Sequence, residues 1–409
     1  MEPAVARAAV GLSQLRARAG AKFKAPEQVL LTPKGLEQAT DGRVAEWRAG
    51  RIAEAARVGA GPARILDATC GLGAEALALA AAGLRVLASD RDPNLAAIAA
   101  WNLGAAGHAL AADALAPPFG PVEGPEESRG VLLDPDRRPG DGAQDRGREG
   151  GGRRRLDPTA FEPPAGSWAR AFTAARAAFV KLPPALDPAR LPGPEVLGLA
   201  PRRLAWVEAG GELRELGLWL GDWALGWTGT PSGPDPGPDA APHAAVRLHG
   251  TPFLAGGRPA DILTGAPEVR APQPLEAEPS HLLEVRPSAR RARLAHAAAQ
   301  TAHPEARPLD PSASYWAACA EPAPTPWVDT FRVLDSAPLD RRRVRKLLAT
   351  HAVGRLTLKK RGLEPSSDAL LAKLGHKPVR GAPAALAIAA PTPAGHRFYL
   401  VERLELSPS

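Results

Sequence analysis

The chain has 409 residues, 44% of them hydrophobic, and a formal net charge of +7. That length exceeds one core and that apolar share excludes a wholly disordered chain, so two or three folded units are expected. Glycine (41) and proline (45) are abundant but follow no period, which excludes a fibrous repeat and points to long loops between units.

The N-terminus, MEPAVARAAVGLSQLRARAGAKF, has no apolar leader core. No later stretch reaches the roughly 18 uncharged apolar residues that a membrane helix needs. Neither secretion nor membrane insertion is expected, and the cytoplasm is the expected location. Residues 1–60 read as an N-terminal helical segment. In LEQATDGRVAEWRAGRIAEAARV, Leu36, Ala39, Val44, Trp47 and Ile52 recur at helical spacing between charged residues. From Ala63 the texture changes to RILDA, LRVLASD, HALAAD and GVLLD, short apolar runs each ending in an aspartate. AEALALAAAG between the first two reads as a helix, and Asp92-Pro93 reads as an N-cap with a first-turn proline opening DPNLAAIAAWNL. Strands alternating with helices predict a parallel sheet covered on both faces. AFVKLPP supplies a fifth strand, and the runs flanking Gly210-Gly211 predict a hairpin at the sheet edge. The tryptophans Trp206, Trp219, Trp223 and Trp227 around it fit core packing.

This α/β unit spans 61–275, and residues 276–409 form a C-terminal region. The latter ends in helix (RRRVRKLLATH), strand (GRLTLKKRG), helix (SSDALLAKLG) and two strands. From Phe331 to Arg380 it carries 13 Lys/Arg against 4 Asp/Glu, an excess of 9 over a slightly acidic remainder. Cys70 and Cys319 lie far apart without a CxxC, so no metal site or disulfide framework is expected. Cys70 reads as a small buried filler.

Asp67, Asp90, Asp113 and Asp134 are spaced 23, 23 and 21 residues apart, each interval the length of one strand, connection and strand. In open α/β sheets ligands bind outside the carboxyl ends of the strands, so four carboxylates would converge on one crevice. In DATCGLGAEA, Gly71 and Gly73 let the backbone pass close to a ligand at a helix N-terminus. With Asp90 ending the next strand, this is a nucleoside-binding arrangement, because a carboxylate accepts both ribose hydroxyls. An acid at Asp67 would repel a pyrophosphate but pair with the methionine amine of S-adenosylmethionine, which decides against a dinucleotide.

ILDATCGLGAEALALAAAGLRVLASDRDPN resembles the first two motifs of class I S-adenosylmethionine-dependent methyltransferases. The resemblance implies that Asp67, Thr69, Gly71 and Gly73 hold the methionine part, Asp90 with Arg91 beside it the ribose, and Asp113 the adenine amine. Asp134 and Pro135 would then face the methyl acceptor as the catalytic pair. LEQATDGRVAEWRAGR, LLDPDRR, VKLPPALDP, AWVEAGGELREL and VGRLTLKKRG together resemble bacterial methyltransferases with a C-terminal THUMP-like domain. That resemblance implies a Rossmann-like seven-stranded sheet, an N-terminal helical segment closing over the cofactor with Gln38 and Thr40, and a small α/β THUMP-like module at about 328–404. THUMP-type modules bind RNA, so an rRNA or tRNA base is the expected acceptor, with Arg341, Arg342, Arg343, Lys359 and Lys360 as its contacts.

Methylases of exocyclic amines commonly carry Asp-Pro-Pro-aromatic after the fourth strand. Here Asp134-Pro135-Asp136-Arg137-Arg138 keeps the acid and first proline and lacks the second proline and the ring. Arg137, Arg138 and Lys181 are expected to hold phosphate or another anion at the rim. PGDGAQDRGREGGG reads as an insertion, with Arg153 to Arg155 resuming the basic rim. Two other readings stay open: a methylase of a small molecule or protein whose basic module is an interaction surface, and a non-catalytic RNA-binding protein on this fold. The sequence sets no oligomeric state.

Overall fold

The computed structural model describes residues 3–117, 129–137, 156–225, 227, 230–231, 243–249, 260–268, 277–310, 312, 314–364 and 366–405. The chain divides into two compact units, Met1–Thr230 with Pro234–Ile262, and Pro231–Gly233 with Leu263–Ser409. Arg138, the stretch after it and Arg153 to Arg155 lie outside the described residues. Among the described residues no helix is long and apolar enough to cross a membrane.

The first unit is built on a sheet of β1 (Arg64–Asp67), β2 (Arg85–Asp90), β3 (His108–Ala111), β4 (Arg129–Leu133), β5 (Ala175–Leu182), β6 (Arg202–Ala209) and β7 (Glu212–Gly221). Their order is β3-β2-β1-β4-β5-β7-β6, the seven strands that the resemblance implied, and the sheet continues past β6 to a total of ten among the described residues. β1 to β5 run parallel, and β7 enters antiparallel between β5 and β6. Strand order reverses at β1, which pairs with β2 on one side and β4 on the other. This is the switch point where connections depart to opposite faces and leave a crevice. The apolar runs of RILD and RGVLL are buried along both faces, as inner parallel strands require. Gly130 in β4 makes room for the Trp223 indole, which would lie 2.1 Å from an added Cβ.

The predicted hairpin forms across Gly210 and Gly211, both at positive φ, but it is not the sheet edge. The strand His243–Leu248 pairs parallel with β6 beyond it. Its run of HAAVRL is short and follows a proline- and glycine-rich stretch, so nothing in the local pattern marked it as a strand.

The N-terminal segment starts with helix α1 (Pro3–Arg18). The single helical pattern expected after it is two helices, α2 (Pro33–Gln38) and α3 (Gly42–Arg57). Asp41 breaks it: its carboxylate accepts the Arg43 N–H and starts α3 afresh. α3 buries Val44, Trp47, Ala49 and Ile52 in the same core as Phe179 and Trp219, so the segment is packed onto the sheet. α4 (Ala74–Ala81) follows β1 and α5 (Pro93–Leu103) follows β2. The α5 cap is as read, with Asp92 accepting the Asn94 N–H and Pro93 in the first turn. Trp206, Trp219 and Trp223 are buried, and Trp227 packs against the same core.

The second unit has a seven-stranded sheet. The elements expected near its end are present: helix Arg341–Thr350, strand Leu356–Lys360, helix Ser367–Leu374 and the antiparallel strands Ala385–Thr392 and Gly395–Leu404. Strands His281–Val285 and Tyr315–Ala318 and helix Ala295–Ala302 precede them and were not anticipated. HLLEV and YWAA are short runs set among prolines, a weak signal until they pair with one another.

Candidate active site

A cavity of about 770 Å³ opens beyond the carboxyl ends of β1, β2, β3 and β4. Asp67, Asp90, Asp113 and Asp134 all line it, together with Thr69, Gly71, Arg91, Pro135, Arg137, Lys181, Gln38 and Thr40. Gly73 does not reach the lining. At φ +82° it turns the chain into α4 behind the cavity, a conformation that favours glycine.

The loop after β1 is tied to β2. The Gly71 N–H donates to Asp90 Oδ2 (3.0 Å) and the Asp92 N–H donates to Asp90 Oδ1 (2.9 Å), so both oxygens of that carboxylate are oriented by backbone. Thr69 reaches the other way, its Oγ1 accepting the Asp134 N–H at 2.7 Å, which fixes the turn after β4 against β1. Asp113 is exposed and steadies its own turn by accepting the Leu115 N–H.

Asp67 is 3% exposed, and its Oδ2 has no hydrogen-bond partner among the described residues. Burial, reinforced by Glu75, Asp134 and Asp90 nearby, pushes its carboxyl up to about 8. Among the described residues no cation pairs with Asp67, and a buried acid so placed suits a positively charged group. Cys70 is buried beside it, and burial with the neighbouring Asp67 and Asp90 pushes its thiol well up. It packs, and is unsuited to nucleophilic attack.

Arg48 and Glu75, in the cavity lining, belong to a group of charges that the sequence pattern did not reveal. Arg48, 1% exposed, forms ion pairs with Glu75 in the first turn of α4 and Glu215 on β7, and its guanidinium lies 4.1 Å from the Phe179 ring centroid. Burial opposes the charge on Arg48, but the two carboxylates hold its pKa above the ordinary value. Burial alone would raise Glu75; Arg48, Lys181 and Thr40 keep it below the ordinary carboxylate range. A signal was present: Arg48 stands four residues after Val44 and next to Trp47, on the apolar stripe of α3, where a solvated arginine would be out of place.

Lys181 corrects its expected role. It is not a rim group waiting for phosphate: its Nζ donates to Asp134 Oδ2 (2.6 Å) and to Thr40 Oγ1 (3.0 Å). Arg91 is exposed and forms an ion pair with Glu162. Glu162 is bound to the segment after β4 through paired backbone bonds with Asp136, of 2.8 and 2.9 Å, and Pro163 and Pro164 after it also line the cavity. Arg137 is exposed at the rim.

In the second unit, Arg341, Arg342 and Arg343 are exposed on a helix capped by Asp340, whose carboxylate accepts the Arg342 and Arg343 N–H groups. Val344, Leu347 and Leu348 bury its other side, and Arg341, Arg342, Arg345 and Lys346 line one shallow depression. Lys359 and Lys360 are drawn inward instead. Lys359 pairs with Glu284 and lies 5.1 Å from the Phe331 ring centroid, and Lys360 donates to the Leu363 carbonyl at 2.7 Å. Among the described residues no cluster of His, Cys, Asp and Glu is placed to hold a metal ion.

Residues 328–403 match the family described as THUMP domain-like. A search of curated proteins gives no match. Among solved structures, a candidate methyltransferase from Porphyromonas gingivalis W83 is 16% identical, covers 96% of this chain and 88% of its own, and superimposes with a TM-score of 0.66. Magnesium protoporphyrin IX methyltransferase from Synechocystis PCC 6803, solved with S-adenosylmethionine, is 16% identical over 47% of this chain and 86% of its own, with a TM-score of 0.28. A candidate RNA methyltransferase from Pyrococcus horikoshii is 15% identical over 51% of this chain and 96% of its own, with a TM-score of 0.27. The first of these structures, with the strand order, gives the chain a class I methyltransferase fold, and a THUMP-like domain follows at its C-terminal end.

Proposed function

We propose that this protein is an S-adenosylmethionine-dependent methyltransferase acting on RNA, at a base of rRNA or tRNA. The observation that carries the reading is Asp67: a buried carboxyl with one oxygen unpartnered, at the strand end where the switch point opens the cavity. An ammonium placed there would ionise Asp67 and satisfy that oxygen. S-adenosylmethionine supplies such an ammonium, a nucleoside for Asp90 and Asp113, and a sulfonium methyl group that a positioned nucleophile can take directly.

The chain's own residues then bind, orient and exclude. Asp90 is held by two backbone N–H groups with lone pairs left for ribose hydroxyls, and exposed Asp113, whose Oδ1 accepts the Leu115 N–H, keeps its other oxygen for an exocyclic amine. Gln38 and Thr40 bring the N-terminal segment to the same lining. Asp134, followed by buried Pro135, orients the acceptor by accepting its N–H, and rate comes from that orientation. Arg137 at the rim and the exposed arginines of helix Arg341–Thr350 suit the RNA backbone, where charge and shape would guide binding. Calorimetry with S-adenosylmethionine tests the cofactor part: one site per chain is expected, lost in Asp67→Asn together with Asp90→Asn. Absence of binding to the wild-type chain overturns the reading.

A further inference from the structure

β5 ends in FVKL, and the two-residue period of a strand puts Phe179 and Lys181 on one face. Phe179 packs against Trp219 and carries the Arg48 guanidinium, which fixes the face from which Lys181 emerges. The lysine stem therefore rises from packed core; its ammonium bonds to Asp134 and Thr40 and feels the charge of Glu75 and Glu215. Asp134 comes from the turn after β4, Thr40 from the break between α2 and α3, Glu75 from α4 and Glu215 from β7. Lys22 and Arg48 are the nearby cations, and Asp67 adds its charge when ionised. Burial opposes the charge on Lys181, but Asp134, Glu215 and Glu75 hold its pKa above the ordinary value.

We propose that Lys181 is a positioning residue, whose ammonium fixes the Asp134 carboxylate through one oxygen, leaves the other to the acceptor, and ties that carboxylate through Thr40 to the segment ahead of β1. The proposal rests on the reading of Asp134 as the group that orients the acceptor. Two partners 141 and 47 residues away in sequence share one ammonium, so closure of the N-terminal segment and alignment of Asp134 become one event. A carboxylate freed from Lys181 would lie near the acids Asp67 and Asp90 without the ammonium that fixes its rotamer.

The test uses the full chain as wild type, Lys181→Met and Lys181→Arg. Calorimetry measures S-adenosylmethionine binding, labelled methyl transfer is followed to total RNA from a strain lacking the protein, and amide exchange is followed at residues 33–41. Lys181→Met is expected to bind S-adenosylmethionine within about threefold of wild type. Its transfer rate at saturating RNA should fall on the order of 100-fold, the cost of a misplaced group. Residues 33–41 should exchange faster. Lys181→Arg should recover part of each change. Wild-type transfer and exchange in Lys181→Met would overturn the proposal, as would loss of cofactor binding and activity together with no recovery in Lys181→Arg. If the wild-type chain methylates no RNA, the function proposed above fails separately. A crystal structure of Lys181→Met and the exchange rates then decide: an unmoved Asp134 with unchanged protection at 33–41 overturns the positioning role.

Discussion

Asp67 and Asp134 end neighbouring strands and line one cavity, yet their surroundings differ. Asp134 faces an ammonium, whereas Asp67 is buried among acids with one oxygen unpartnered. The consequence for Asp67 is a proton linkage. Its carboxyl titrates at about 8 in the folded chain and near 4 unfolded, so the native state holds the extra proton between those values. The stability this contributes is fully present below about pH 4 and is lost as the pH rises through about 8. A cation bound at Asp67 displaces that proton. Binding of S-adenosylmethionine at pH 7 is therefore expected to release close to one proton, read by calorimetry in buffers of different ionisation enthalpy; binding with no proton exchange contradicts the role. Replacing Asp134 by alanine should leave cofactor affinity within a few-fold and reduce transfer at least 100-fold, which single-turnover assays with labelled methyl groups would measure. The strand-end aspartates were legible because each closes an apolar run and their spacing repeats. The partners of Lys181 were not, since Thr40, Asp134 and Lys181 meet only after three distant segments have folded together.

At the scale of elements, α3 is joined to α4 and β7 by Arg48. The sequence showed that α3 is amphipathic, but not that an arginine on its apolar stripe pairs with Glu75 and Glu215. Removing the cation alone leaves two buried carboxylates, so Arg48→Met should destabilise the first unit by about 3–5 kcal/mol despite its apolar replacement. Seven of the nine tryptophans, from Trp47 to Trp227, report on this unit, so denaturation followed by fluorescence measures the effect directly. A change below about 1 kcal/mol would mean that the pairs add nothing beyond surface bridges. The break between α2 and α3 shows the same limit of pattern reading. Helical periodicity ran through Ala39 to Asp41, and capping by Asp41 overrode it, setting Thr40 at the cavity instead of inside a helix.

Across the whole molecule, the positive charge is concentrated in the C-terminal region and the acids converge on the cavity of the first unit. The excess of basic residues in RRRVRKLLATH and GRLTLKKRG was plain from the sequence, but composition could not tell which of them stay at the surface. Arg341, Arg342, Arg345 and Lys346 do, while Lys359 and Lys360 make contacts within the unit. Reversing Arg341, Arg342 and Arg345 to glutamate should weaken RNA binding and lower the slope of log affinity against log salt by about 0.7 per lost phosphate contact. Lys359→Ala should change stability more than RNA affinity, because it removes one ion-pair partner of buried Glu284. The most direct test of the account is transfer of a labelled methyl group from S-adenosylmethionine to RNA isolated from a strain lacking the protein. Label is expected in a defined RNA species with the wild-type chain and none with Asp134→Ala. Cofactor binding without label in any RNA, or equal labelling by Asp134→Ala, would contradict it.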